Sequence, residues 1–216
     1  MKGLSIEKVK KLEITRRNFL YKPRLNLKDT RKYKLYSKLK SAGYFNGKIL
    51  GCVDYKIRNG RLLLKCIKIN FFDFLHNRIG NHRIPKLVNV NAIIQISDNF
   101  VFIKRDNKVH SYKGYYDFPA GLVFYNEEPL EKLKYKIKED AGINNEMIKN
   151  IKLIAGGVSA RYLCLFYIVK CKLAKDGLRE ISKSSKYKIK LVKKRNIRSF
   201  IDNNKFVYPE ILKEIH

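Results

Sequence analysis

Acidic residues are scarce in this chain, 19 against 48 Lys and Arg, yet five of them fall in the short stretch from Gly121 to Ile143: Glu127, Glu128, Glu131, Glu139 and Asp140. Lys136, Glu139 and Asp140 stand three and four apart, which puts them on one face of a helix. Adjacent carboxylates on a helix, with a further carboxylate from the preceding loop, are the donor set that a hard cation such as Mg²⁺ needs. No other group of residues offers comparable chemistry. His76, His82, His110 and His216 are far apart and make no ligand pair. Cys52, Cys66, Cys164 and Cys171 show no C-x-x-C spacing, which argues against zinc and suits a reducing compartment.

The elements that must hold these acids can be read from the same stretch. Asp117-Phe118-Pro119-Ala120-Gly121 is a loop, because Pro119 and Gly121 block regular structure. A helix starts near Pro129, a residue tolerated in a first turn, and Glu127, Glu128 and Glu131 suit its positive end. Leu130, Leu133, Ile137 and Ala141 recur at helical spacing and predict a buried stripe. Gly142 ends the helix in a left-handed cap.

This stretch resembles the Nudix box, G-x5-E-x7-R-E-U-x-E-E-x-G-U with U aliphatic. Gly121 fits the opening glycine and Glu127 the first glutamate. Ile137 fits U, Glu139 the next glutamate, Asp140 conservatively the last one, and Gly142-Ile143 close the motif. Tyr135 stands where the family has Arg, and Lys136 where it has Glu. The resemblance implies a metal site of Glu127, Glu139 and Asp140 holding Mg²⁺ or Mn²⁺, with Glu139 and Asp140 as catalytic residues, and hydrolysis of a nucleoside diphosphate linked to another group. Lys136 puts a positive charge into that site. It either contacts substrate phosphate or pairs with Glu139 or Asp140 in place of the metal. Arg105 fits the basic residue at the end of the family's second strand, where it meets a substrate phosphate; read by itself, it is a strand-end charge.

The rest of the chain supplies a scaffold. Ser5 to Leu12 reads as a short helix. Residues 48 to 69 read as a β-hairpin turning at Asn59-Gly60, a pair that favours a type I′ turn. Phe71 to Arg78 reads as a helical turn. Gly80 to Pro85 breaks the pattern and marks a domain boundary. Val88 to Ile96 and Phe100 to Arg105 are strands separated by Asp98-Asn99. Ile151 to Ala155 and Arg161 to Cys171 are strands joined by Gly156-Gly157. Tyr187 to Val192 is a further strand, and Tyr208 to Ile215 a closing helix with Ile211, Leu212 and Ile215 on its apolar face. The resemblance covers about 86 to 216. The expected fold class is α/β (α+β): a Nudix-type α/β/α sandwich with a mixed sheet over 86–216, preceded by a basic N-terminal extension over 1–85 that contains the hairpin.

The formal net charge is +29. Residues 1–40 carry 14 Lys or Arg against 3 acids, with aromatics interleaved, and 183–198 carry eight basic residues and no acid. Such a balance reads either as a polyanionic partner or as a composition bias. No apolar run approaches the ~20 residues of a membrane span, and the first residues are too charged for a secretion signal. A cytoplasmic protein without a membrane partner is therefore expected. Two functions follow. One is a metal-dependent hydrolase of a nucleotide or nucleotide-linked substrate. The other is a catalytically inactive Nudix-fold module that binds RNA or a ribonucleoprotein.

Overall fold

The computed structural model describes residues 4–21, 30–41, 46–77, 85–106, 112–172, 181 and 183–214. Eleven strands and five α-helices are found among them. In chain order they are β1 (Ser5–Lys8), β2 (Lys11–Leu20), α1 (Thr30–Ser41), β3 (Lys48–Arg58), β4 (Arg61–Asn70), α2 (Phe71–Asn77), β5 (Lys86–Ile96), β6 (Asn99–Lys104), β7 (Tyr116–Asp117), β8 (Ala120–Leu122), α3 (Pro129–Ala141), β9 (Ile148–Val158), β10 (Tyr162–Cys171), β11 (Lys188–Lys193), α4 (Ile197–Asp202) and α5 (Pro209–Glu214).

The strand β5 organises the molecule. Its near-continuous apolar sequence is that of a strand covered on both faces, and nine of its eleven residues are buried. Along one edge it pairs in parallel with β10 over ten residues. Its other edge is shared in turn by β3, β8 and β6. The sheet path runs β1-β9-β10-β5-β3-β4-β2, with β11 added through β6. Period-two alternation then sorts the core. Val88, Val90, Ala92, Ile94 and Ile96 face the same side as Leu133, Ile137 and Ala141 of α3. Ile93 faces the other side, with Ile197 of α4 and Ile211 and Leu212 of α5. Helices thus cover both faces of a mixed sheet, as the expected sandwich requires.

The hairpin forms as its turn predicts. Asn59 and Gly60 have φ of 50° and 70°, the pair of left-handed residues a type I′ turn needs. The helix α2 follows directly. Four expectations change. The expected loop from Asp117 to Gly121 is largely strand: Asp117 pairs with Ile103 of β6, and Ala120 and Gly121 pair with Asn91 and Val90 of β5. Ser5 to Leu12 is not a helix: β1 pairs antiparallel with β9 and β2 pairs in parallel with β4, so partners at least 50 residues away decide its conformation. Gly156-Gly157 is not a turn but lies within β9, and the chain reverses at Ser159–Arg161 instead. A Cβ on Gly157 would stand 2.8 Å from the Phe166 ring, so the glycine serves close packing there. Leu130, in the first turn of α3, is 39% exposed, while Leu133, Ile137 and Ala141 are buried. The expected boundary at Gly80 to Pro85 lies outside the described residues except for Pro85. Strands from both sides of it join one sheet, through Gly51 opposite Leu87 and Cys52 opposite Lys86. Ile215 also lies outside the described residues. No described helix is long and apolar enough to cross a membrane.

Candidate functional site

The helix α3 places the acids. It opens at Pro129 after Glu128 and ends at Gly142, whose φ of 68° satisfies the left-handed cap. Gly142 has a second constraint: a Cβ there would meet Ser184 Oγ at 2.4 Å and Ile181 O at 2.7 Å. Ile181 and residues 184–186 lie against this end of the helix. Ser184 Oγ donates to Gly142 O, and the Lys186 N–H donates to Glu139 O at 3.1 Å.

On the face toward β8, Lys136 Nζ donates to Glu139 Oε2 at 2.5 Å and to Asp140 Oδ1 at 2.8 Å. The second oxygen of Asp140 accepts from the Ala120 N–H at 3.4 Å. Lys186 Nζ reaches Glu139 Oε1 at 3.4 Å. The Lys136 stem lies on Gly121. A Cβ at that glycine would stand 2.8 Å from Lys136 Cγ, so the opening glycine of the motif makes room for the lysine.

Burial sets the balance of charge in this cluster. Burial alone would lower the Lys136 pKa, but the attraction and hydrogen bonds of Asp140 and Glu139 outweigh it and the net change is upward. Burial likewise pushes Glu139 up, and Lys136 and Lys186 reverse this to leave its carboxyl below the usual range. For Asp140, 2% exposed, burial wins over Lys136 and the pKa is raised.

Glu127 is held separately. Its Oε2 accepts from the Phe124 N–H at 3.1 Å and lies 3.3 Å from Lys132 Nζ. Lys132 is buried, and its ammonium sits 4.1 Å from the Phe124 ring centre and 5.3 Å from that of Tyr135. Glu127, Lys132, Lys136 and Glu139 line one cleft of about 530 Å³, walled by Phe71, Phe124 and Tyr135 among others. Glu128 pairs with Arg16 of β2 at 2.8 Å, and Arg16 also donates to Glu127 O, so the N-terminal strand is fastened to the start of the box. Arg105 is not among the residues lining this cleft. Its guanidinium donates to Asp117 Oδ2 at 2.8 Å, and Asp117 is 3% exposed. Burial lifts the Asp117 carboxyl to about 6 against the pull of Arg105, with nearby Asp140 adding to the rise. Phe118 is buried in the core beside Phe102.

The sequence-predicted residues are therefore brought together in part. Glu139, Asp140 and Lys136 form one cluster, Glu127 shares its cleft, and Arg105 belongs to a different pair. Lys132 is the residue that sequence reasoning passed over. Its signal was present, since it stands four before Lys136 on the same helix face and five after Glu127.

This donor set does not fit a divalent metal ion. A cation already stands between Glu139 and Asp140, and it is the chain's own ammonium. Glu127 turns to a second ammonium, and among the described residues no three His, Cys, Asp or Glu side chains are grouped to hold a metal. Three lysines, Lys132, Lys136 and Lys186, balance three carboxylates. Chemically the arrangement fastens α3 to β8 and to Lys186.

No family model matches the chain, and no curated protein does. Solved structures do. The chain is similar to a bifunctional NMN adenylyltransferase/ADP ribose pyrophosphatase from Francisella tularensis, complexed with AMP and a manganese ion, at 15% identity and a TM-score of 0.45. That match covers 66% of this chain and 44% of the other, less than half its length. It is similar to the MutT protein of Methanosarcina mazei Go1 at 16% identity and a TM-score of 0.44, over 60% and 92% of the two chains. It is similar to the NUDIX domain of Shewanella oneidensis NrtR, complexed with ADP ribose, at 13% identity and a TM-score of 0.41, over 65% and 95%.

Proposed function

We propose that this chain is a catalytically inactive, Nudix-like module that binds RNA, with residues 86–216 as the Nudix-like unit and 1–85 as its basic extension. The observation that carries the reading is the Lys136 ammonium, 2.5 Å from Glu139 and 2.8 Å from Asp140, in the one place where the box gathers carboxylates. This ammonium is tethered to the same helix as both acids, so a divalent ion would have to displace it. The box then serves as structure, and a net charge of +29 is left to supply the contact with a polyanion. Four buried free cysteines support a reducing, cytoplasmic setting.

A second reading is a hydrolase of a nucleotide-linked substrate dependent on Mg²⁺ or Mn²⁺, with Glu139 and Asp140 as catalytic residues and Lys136 meeting phosphate. It is favoured by Glu127 and Glu139 lining one cleft with exposed aromatic side chains. One experiment separates the two. Wild-type protein is incubated with nucleoside diphosphate derivatives and capped RNA in Mg²⁺ or Mn²⁺, beside a Glu139→Gln/Asp140→Asn variant. The expected result is no turnover by either, together with RNA binding unchanged by EDTA. Metal-dependent turnover that the variant lacks would overturn the inactive reading. A Lys136→Glu variant that gains Mn²⁺ affinity by calorimetry would show that the lysine itself excludes the metal.

A further inference from the structure

We propose that the outer face of the β2–β4–β3 sheet is a docking surface for a nucleic-acid phosphate backbone, with Lys11, Lys56, Arg58, Arg61 and Lys65 as its contacts. The inference rests on the RNA-binding reading and says where on the molecule that binding occurs.

Strand register carries the argument. Lys11 of β2 is opposite Arg61 of β4, and Arg61 is opposite Arg58 of β3. Three cations thus stand in one row across three adjacent strands. With strands about 4.8 Å apart, the row spans roughly 10 Å. The next rows are Glu13–Leu63–Lys56 and Thr15–Lys65–Asp54. Like charges directly opposite one another work against a sheet, and a core does not compel this placement; an anion lying along the face turns it to advantage. The row cannot turn inward. The intervening Leu12, Leu62 and Ile57 face the main core, and a slip of one residue would expose them.

The face is open and under-neutralised. Lys11, Arg61 and Lys65 side chains are 59%, 58% and 50% exposed. Glu13 lies 3.7 Å from Lys11 and 3.6 Å from Arg61, and Asp54 lies 3.3 Å from Lys65. Two acids therefore serve five cations, and neither Lys56 nor Arg58 makes an ion pair with a described residue. A regular row of exposed cations fits a partner whose anions also repeat, which distinguishes a nucleic-acid backbone from a single phosphate. A second basic hollow, lined by Lys194, Arg195 and Arg198, also contains Asp98 and Asp202 and has no such row. It supplies the control.

The test measures binding of a fluorescently labelled oligouridine by anisotropy from about 50 to about 200 mM salt. Compared are wild type, Lys56→Ala/Arg58→Ala/Arg61→Ala, and the charge-matched Lys194→Ala/Arg195→Ala/Arg198→Ala. The first triple variant is expected to lose at least about tenfold in affinity at the lower salt. Its log–log salt slope is expected to flatten by about 2, from three contacts at ~0.7 each for a single strand. The control is expected to lose much less. Thermal unfolding checks that all three are folded, and Arg58→Lys/Arg61→Lys should retain binding. Equal losses in both triple variants would mean diffuse charge and overturn the inference while leaving the RNA-binding reading intact. Absence of oligouridine binding by wild type would overturn both. Binding to phosphatidylserine vesicles in its place would assign the surface to a lipid partner and overturn the inference.

Discussion

Two regions of this protein are made of the same side chains and behave differently. In the box, Lys136 meets Glu139 and Asp140 with side chains 14%, 32% and 3% exposed. On the outer sheet face, Lys65 meets Asp54 at 50% and 44%, and Lys11 meets Glu13 at 59% and 45%. In the box water is largely excluded, each charge depends on its neighbour, and removing one leaves another stranded. On the sheet face water and salt screen every pair, so a cation there is held in place by its strand and remains free to exchange its carboxylate for another anion. Burial thus turns a lysine in the box into a fastening and leaves the sheet-face lysines available as contacts.

The largest effect that could break this comparison is Lys136→Ala. It strands Asp140, which is 2% exposed, and is expected to cost about 3 kcal/mol in chemical denaturation. The double variant Lys136→Ala/Asp140→Asn should recover most of that loss, because the stranded charge is removed. If the single variant is as stable as wild type, the box cluster is no more structural than the sheet face. An effect of similar size sharpens the contrast through pH. Asp117 titrates near 6 in the folded protein and near 3.8 when unfolded. Between these values the folded state holds the extra proton, so wild type should lose stability relative to Asp117→Asn as pH rises from 4 to 6. The full change is on the order of 3 kcal/mol. Thermal unfolding of both proteins across that window measures it, and parallel curves would contradict the burial argument.

What the sequence made legible was local. The span of α3, its glycine cap and the Asn59-Gly60 hairpin each depend on residues within a few positions, and all three formed. A pairing of Lys136 with Glu139 or Asp140 was also readable, as one of two alternatives, from helical spacing; that it meets both was not. The strand character of Ser5 to Leu12 was not readable, because β9 and β4 impose it from far along the chain. Gly156 and Gly157 mislead for a related reason. Glycine signals a turn locally, whereas here Gly157 answers to the ring of Phe166 on the neighbouring strand and Gly156 to Leu62. The pairing of Arg105 with Asp117 rather than with a cleft ligand depends on how β6 and β7 align, and no spacing rule carries that information. The sheet-face row escaped notice for the same reason, since Lys11, Arg58 and Arg61 become neighbours only once register is known.

The smallest effect bears on the outer face itself. Lys65→Ala removes an exposed pair with Asp54 at 3.3 Å. Pairs of this kind contribute about 0–1 kcal/mol, so the variant should unfold within about 0.5 kcal/mol of wild type, and the difference should vanish at about 1 M salt, where the Debye length falls to about 3 Å. The measurement matters because a docking surface must give up its internal pairs to its partner. If Lys65→Ala instead costs well over 1 kcal/mol at low salt, Asp54 needs its lysine for folding, and the cation is not at liberty to meet a phosphate. A near-zero cost, beside a large one for Lys136→Ala, would place the two lysines on opposite sides of the division between fastening and contact.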